Sequence, residues 1–117
     1  MTSLRWGRII AGGFLVELGI IVVFVPVVVW GTEQASQITA VAACFPMAVL
    51  FSWWAARKAP SQHIVHGFLV GLVATVMYLL LTIGQELPGI YMLGHVFKIL
   101  GGVAGGWWAS KQAVSAA

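Results

Sequence analysis

The run IIAGGFLVELGIIVVFVPVVVW, residues 9–30, decides what kind of protein this is. Its only charged side chain is Glu17. At about 1.5 Å per residue, a helix of that length covers about 30 Å, the thickness of a bilayer's hydrocarbon core. Arg5 and Arg8 precede the run, as the basic residues of a secretory signal would. The apolar stretch is longer than a signal's, however, and no small-residue cleavage site follows it. The run is therefore read as a retained membrane span.

Working outward, the same character holds along the chain. Apolar residues make up 61% of it and charged residues 8%, and neither Asp nor Asn occurs. An ordinary globular domain carries roughly 25% charge. Too few polar groups are present to clothe a water-facing surface, so lipid is expected to cover most of the outside. Hydropathy predicts four spans, at 8–30, 37–56, 64–84 and 89–109. They are separated at Gly31–Gln34, Lys58–Ser61 and Gly84–Gly89, where turn-forming residues cluster. Continuous rather than alternating apolar runs specify helices, and four strands could not close a barrel. The expected fold class is an all-α membrane protein, a bundle of four transmembrane helices forming one domain over 1–117.

Charge predicts orientation. Arg5 and Arg8 precede the first span, Arg57 and Lys58 follow the second, and Lys111 follows the fourth, whereas the other two loops carry only Glu33 and Glu86. The bias of basic residues toward the cytoplasmic side places both termini and the middle loop there. The implied location is the cell's inner (plasma) membrane. Trp6, Trp53, Trp54, Trp107 and Trp108 fall at the inner interface and Trp30 at the outer one, an expected aromatic belt.

Shifted by 54 residues, the sequence matches itself without a gap. Gly13–Leu18 falls on Gly67–Leu72, and Trp53–Ala59 falls on Trp107–Ala113. The expected architecture is two tandem helical hairpins, residues 8–58 and 62–112. Each hairpin enters the membrane with the same polarity, which gives a parallel pseudo-two-fold axis along the membrane normal.

The repeat is most informative where it fails. Gly67 and Gly71 form a G-x-x-x-G packing face, while the equivalent positions in the first span are Gly13 and Glu17. Lys98 stands where the second span has Cys44. Gly94, Gly101, Gly102 and Gly105 share the face of Lys98 by helical spacing, so that face too is built for close approach. Glu17 lies about 15 Å from the cytoplasmic end of its span and Lys98 about 18 Å from that of its own. Opposite charges at matching depth predict a Glu17–Lys98 ion pair joining helices one and four, with His95 beside it in a polar core. The pseudo-symmetric counterpart is Gly71 against Cys44, a close uncharged contact between helices three and two.

Other residues point less far. His63 and His66 have i, i+3 spacing but no carboxylate or thiol nearby in sequence to complete a metal site, so no metal and no cofactor is expected. Cys44 reads as a buried packing thiol. Pro26 and Pro46 interrupt spans one and two and predict kinks. The basic residues form no dense patch, so nucleic acid is not an expected partner. No CxxC, G-x-S-x-G, H-E-x-x-H or phosphate-binding glycine loop occurs. The chain is not expected to be an enzyme.

Gly12–Glu17, together with the Gly84–Leu87 turn, resembles small multidrug resistance transporters, four-helix proteins of similar length. That resemblance implies that Glu17 is a carboxylate binding protons and cationic substrates. It does not extend to Thr75–Leu81, and it supplies no role for Lys98. Two function classes follow. The first is a structural or accessory membrane subunit, a homo-oligomer or part of a larger complex, held together by a buried Glu17–Lys98 pair. The alternative is a small proton-coupled transporter or channel using Glu17.

Overall fold

The computed structural model describes residues 6–59, 62–85 and 89–116. Arg5, Glu86 and the Pro60–Ser61 and Leu87–Pro88 turn positions lie outside the described residues. Four helices form: α1 (Trp6–Trp30), α2 (Glu33–Ala56), α3 (His63–Leu81) and α4 (Ile90–Ala116). No strand occurs among the described residues. Helices α1, α2 and α3 are long and apolar enough to cross a membrane. Although α4 is the longest of the four, it is not among them; its glycines, His95 and Lys98 dilute its hydropathy.

The helix limits follow local chemistry. Helix α2 begins at Glu33 because the Thr32 hydroxyl accepts from the Ala35 amide at 3.0 Å, satisfying a free N–H of the first turn. Helix α3 stops at Leu81, short of the residue 84 expected from hydropathy. The amide and hydroxyl of Thr82 both donate to the Tyr78 carbonyl, and Gly84 follows at φ +82°, a conformation that suits glycine. Pro26 and Pro46 lie inside continuous helices.

The start of α1, the end of α2, the start of α3 and the end of α4 gather at one end of the bundle, with Arg8, Arg57 and Lys111. Arg8 of α1 donates from Nε to the Ala55 carbonyl at 3.1 Å and from Nη2 to the Trp54 carbonyl, capping α2 from a neighbouring helix. Its guanidinium also lies 4.3 Å from the Trp54 ring centre. Arg57 sits over Trp53 at 5.0 Å and Lys111 over Trp107 at 5.4 Å. Trp53 stacks on Trp108 at 4.9 Å and donates to Gln112 at 2.7 Å.

Packing is closest in the half of the bundle nearest that basic end. A Cβ on Gly67 would strike the carbonyl of Gly102, and one on Gly102 the carbonyl of Gly67. Gly106 meets the His63 carbonyl in the same way, so α3 and α4 touch backbone to backbone. Gly101 and Gly105 bring α4 against Phe45, Ala48 and Val49 of α2. Gly13 seats α1 on Val73 and Ala74 of α3. Ile9, Val16, Ala48, Ala55, Val70 and Ala74 fill the space between, all fully buried. Small residues are what permit such backbone approach.

The two diagonals of the bundle differ. Helices α2 and α3 approach each other directly, whereas no Cα of α1 comes within 8 Å of one in α4 among the described residues. Closed at the basic end and wide on one diagonal, the bundle opens toward the other end.

Candidate functional site

The wide diagonal is spanned by the two longest polar side chains of the core. Lys98 Nζ lies 2.5 Å from Oε1 of Glu17, an ion-pair distance, with the two side chains 3% and 10% exposed. Their helices project them toward each other because Glu17 lies one turn from Gly13 on the packing face of α1 and Lys98 emerges from the glycine face of α4. Oε1 is shielded from solvent, with Lys98 Nζ as its partner. Lys98 has two further neighbours: Nδ1 of His95 at 3.5 Å and the Tyr78 ring centre at 4.7 Å. Tyr78 also meets His95 edge-on at 4.8 Å and Tyr91 at 6.1 Å.

Gly71 and Cys44 do not face each other as nearest neighbours. A Cβ on Gly71 would lie 2.5 Å from the Lys98 carbonyl, so Gly71 packs on α4 beneath the lysine. Cys44 stands against Gly94 and donates to the Ala40 carbonyl at 3.1 Å. The α2–α3 approach is made nearer the basic end, where the buried Ser52 hydroxyl donates to the Gly67 carbonyl at 3.4 Å. The remaining histidines are separate from this cluster. His66 is fully buried near the start of α3, its Nδ1 2.7 Å from the Gln62 carbonyl.

Glu17 and Lys98 form the floor of a cleft of about 360 Å³. All four helices line it, each with residues from the half remote from the basic end. Its walls include Ile20, Phe24, Val41, Tyr78 and Tyr91, and Thr82 and Gln85 stand toward that end of the bundle. A second hollow, lined by Thr32, Glu33, Ser36 and Gln37, shares Phe24 and Tyr91 with the first. Phe24 and Tyr91 thus border both hollows.

Of the residues singled out in the sequence, Glu17, Lys98 and His95 meet here. Gly94 lines the cleft, and Gly13, Gly67, Gly71, Gly101, Gly102 and Gly105 pack helices together around it. Tyr78, Tyr91, Phe24 and Gln85 were not anticipated. A usable signal existed. At the 54-residue offset Phe24 corresponds to Tyr78, Ala40 to Gly94, Val41 to His95 and Cys44 to Lys98, and all eight line the cleft. In three of these pairs the earlier position is apolar or a thiol where the later one carries a phenol, an imidazole or an amine.

Neither a family model, a curated protein nor a solved structure matches this chain. The fold and site therefore define it only as a small all-helical protein with apolar helices compatible with a membrane. The likeness of Gly12–Glu17 to a transporter helix stays local.

Proposed function

We propose that the chain is a multi-pass protein of the inner (plasma) membrane, built from two tandem hairpins, with both termini cytoplasmic. In this reading it has no catalytic role and serves as a structural or accessory subunit of a membrane assembly. The observation that carries it is the Glu17–Lys98 contact across a diagonal with no Cα approach under 8 Å. An ion pair there fixes the register of two helices whose backbones stay more than 8 Å apart among the described residues, a recognised use of buried charge. Membrane insertion is supported by the three long apolar helices. The exposed Leu93, Val96 and Leu100 give α4 a lipid-compatible outer face as well. The hairpin repeat is supported by the repeat-equivalent Arg57–Trp53 and Lys111–Trp107 stacks. The test is extraction of the tagged protein into native-lipid discs and mass spectrometry of whatever accompanies it. A stoichiometric partner, or a defined homo-oligomer, is the expected result. Recovery as a bare monomer would end the subunit reading.

A second reading is favoured by the cleft: Glu17 belongs to a binding site for a small molecule, as in a small transporter. Both charged groups line a hollow large enough for a ligand, at the depth where ionisable residues mark transport paths. Liposome uptake that depends on Glu17 and is lost in Glu17→Gln would support this reading. Identical uptake by the variant would remove it.

A further inference from the structure

We infer that the cleft binds a small zwitterion bearing an aromatic or bulky apolar group, of the aromatic α-amino acid class. This inference rests on the second reading above, that the cleft admits a ligand.

Charge balance selects the ligand. The floor holds one carboxylate and one amine in direct contact. A simple cation taking Glu17 would strand Lys98 in a poorly solvated site, and a simple anion taking Lys98 would strand Glu17. Either outcome leaves a buried charge uncompensated, which is strongly unfavourable. A zwitterion avoids both. Its ammonium replaces Lys98 at Oε1 of Glu17, and its carboxylate receives Lys98, so two compensated pairs stand where one stood.

The geometry allows that exchange. Oε1 is held by the flexible side chain of Lys98, which must withdraw for a ligand's ammonium to take its place. Lys98 has somewhere to swing, since His95 Nδ1 and the Tyr78 ring lie at 3.5 and 4.7 Å. Above the floor, Tyr78, Tyr91 and Phe24 offer aromatic surface, with Ile20 and Val41 completing an apolar wall. Such rings prefer edge-on or offset contact with another aromatic group. A volume of about 360 Å³ falls in the usual range for ligand pockets, about 300–1,000 Å³. A neighbouring hollow that includes Thr32, Glu33, Ser36 and Gln37 shares Phe24 and Tyr91 with the cleft.

The experiment is equilibrium dialysis of radiolabelled L-phenylalanine against the full chain in lipid nanodiscs. Two competitors of the same shape, 2-phenylethylamine and 3-phenylpropanoate, each keep one of the two charges. Saturable binding of phenylalanine is expected, with each competitor weaker by at least about tenfold. Glu17→Gln/Lys98→Met, which removes both charges together, is expected to lose the binding. Ala40→Leu keeps both charges but fills the cleft from α2, and it should lose binding too; it serves if the double variant does not fold. Competition by either single-charge compound as strong as that by phenylalanine overturns the zwitterion assignment while leaving the cleft a binding site. Absence of saturable binding by any of the three, or binding undiminished in Ala40→Leu, overturns the cleft reading itself.

Discussion

Ser52 donates its hydroxyl proton to the carbonyl of Gly67, 3.4 Å away, between two helices that approach along one diagonal of the bundle. On the other diagonal the link is made by Glu17 and Lys98. A hydroxymethyl group and a bare backbone draw α2 and α3 together, while a carboxyethyl and an aminobutyl group fill a wider gap between α1 and α4. This inequality leaves the cleft above the ion pair.

Glu17 and Lys98 should be strongly coupled in stability. Glu17→Gln or Lys98→Met alone leaves one buried charge without a partner, an expected loss on the order of 3 kcal/mol. The double variant should recover most of that loss. Unfolding of the four proteins in mixed micelles completes a double-mutant cycle. Additive losses would show that the two groups do not act as a pair.

Glycine replacement should separate packed from open positions. Gly102→Ala places a methyl group against the Gly67 carbonyl, where backbone has little room to yield, and should cost about 1–3 kcal/mol. Gly7→Ala meets nothing within 4 Å and should be neutral or stabilise α1 by up to about 1 kcal/mol. Tryptophan fluorescence during unfolding reports both. Equal effects would mean that α3 and α4 do not touch as described.

Arg8 should act as a cap for α2 as well as a topology signal. Arg8→Ala removes both carbonyl contacts and the stack on Trp54, with an expected loss of about 1–2 kcal/mol. Arg8→Lys keeps the charge but not the planar fork and should recover only part. The measure is the difference in unfolding midpoint between the two variants. Full recovery by lysine would reduce the role of Arg8 to charge alone.

Orientation is testable with single cysteines in a Cys44→Ala background. Gln34→Cys, in the first turn of α2, should react with a membrane-impermeant maleimide on intact cells. Gln112→Cys should react only after lysis. Both positions are exposed, so accessibility depends on side rather than on burial. The reverse pattern would invert the proposed topology.

Much of the helical framework was legible in the chain. Apolar runs and turn residues located four helices, since a helix satisfies its backbone hydrogen bonds within its own segment. The limits that differed did so for local reasons: the Thr32 cap lengthened α2, and the Thr82–Gly84 turn shortened α3. Helix α4 stands apart from the three long apolar helices because its glycine face, His95 and Lys98 lower its hydropathy without shortening it. Glu17 and Lys98 stood out because each breaks, at a packing position, the self-match at a 54-residue offset.

What the sequence by itself determined, then, is the set of helices, their small-residue faces and the two charges at matching depth. Only the tertiary structure decided that Gly71 lies against Lys98 rather than Cys44. It alone decided too that the diagonals are unequal and that Tyr78, Tyr91 and Phe24 stand over the ion pair. The reason is physical. Periodicity and charge act within one helix at a time, whereas the distance between opposite helices depends on the volumes all four place in a shared centre. There the bulk of Glu17 and Lys98 competes with the close approach that Gly67 and Gly102 allow.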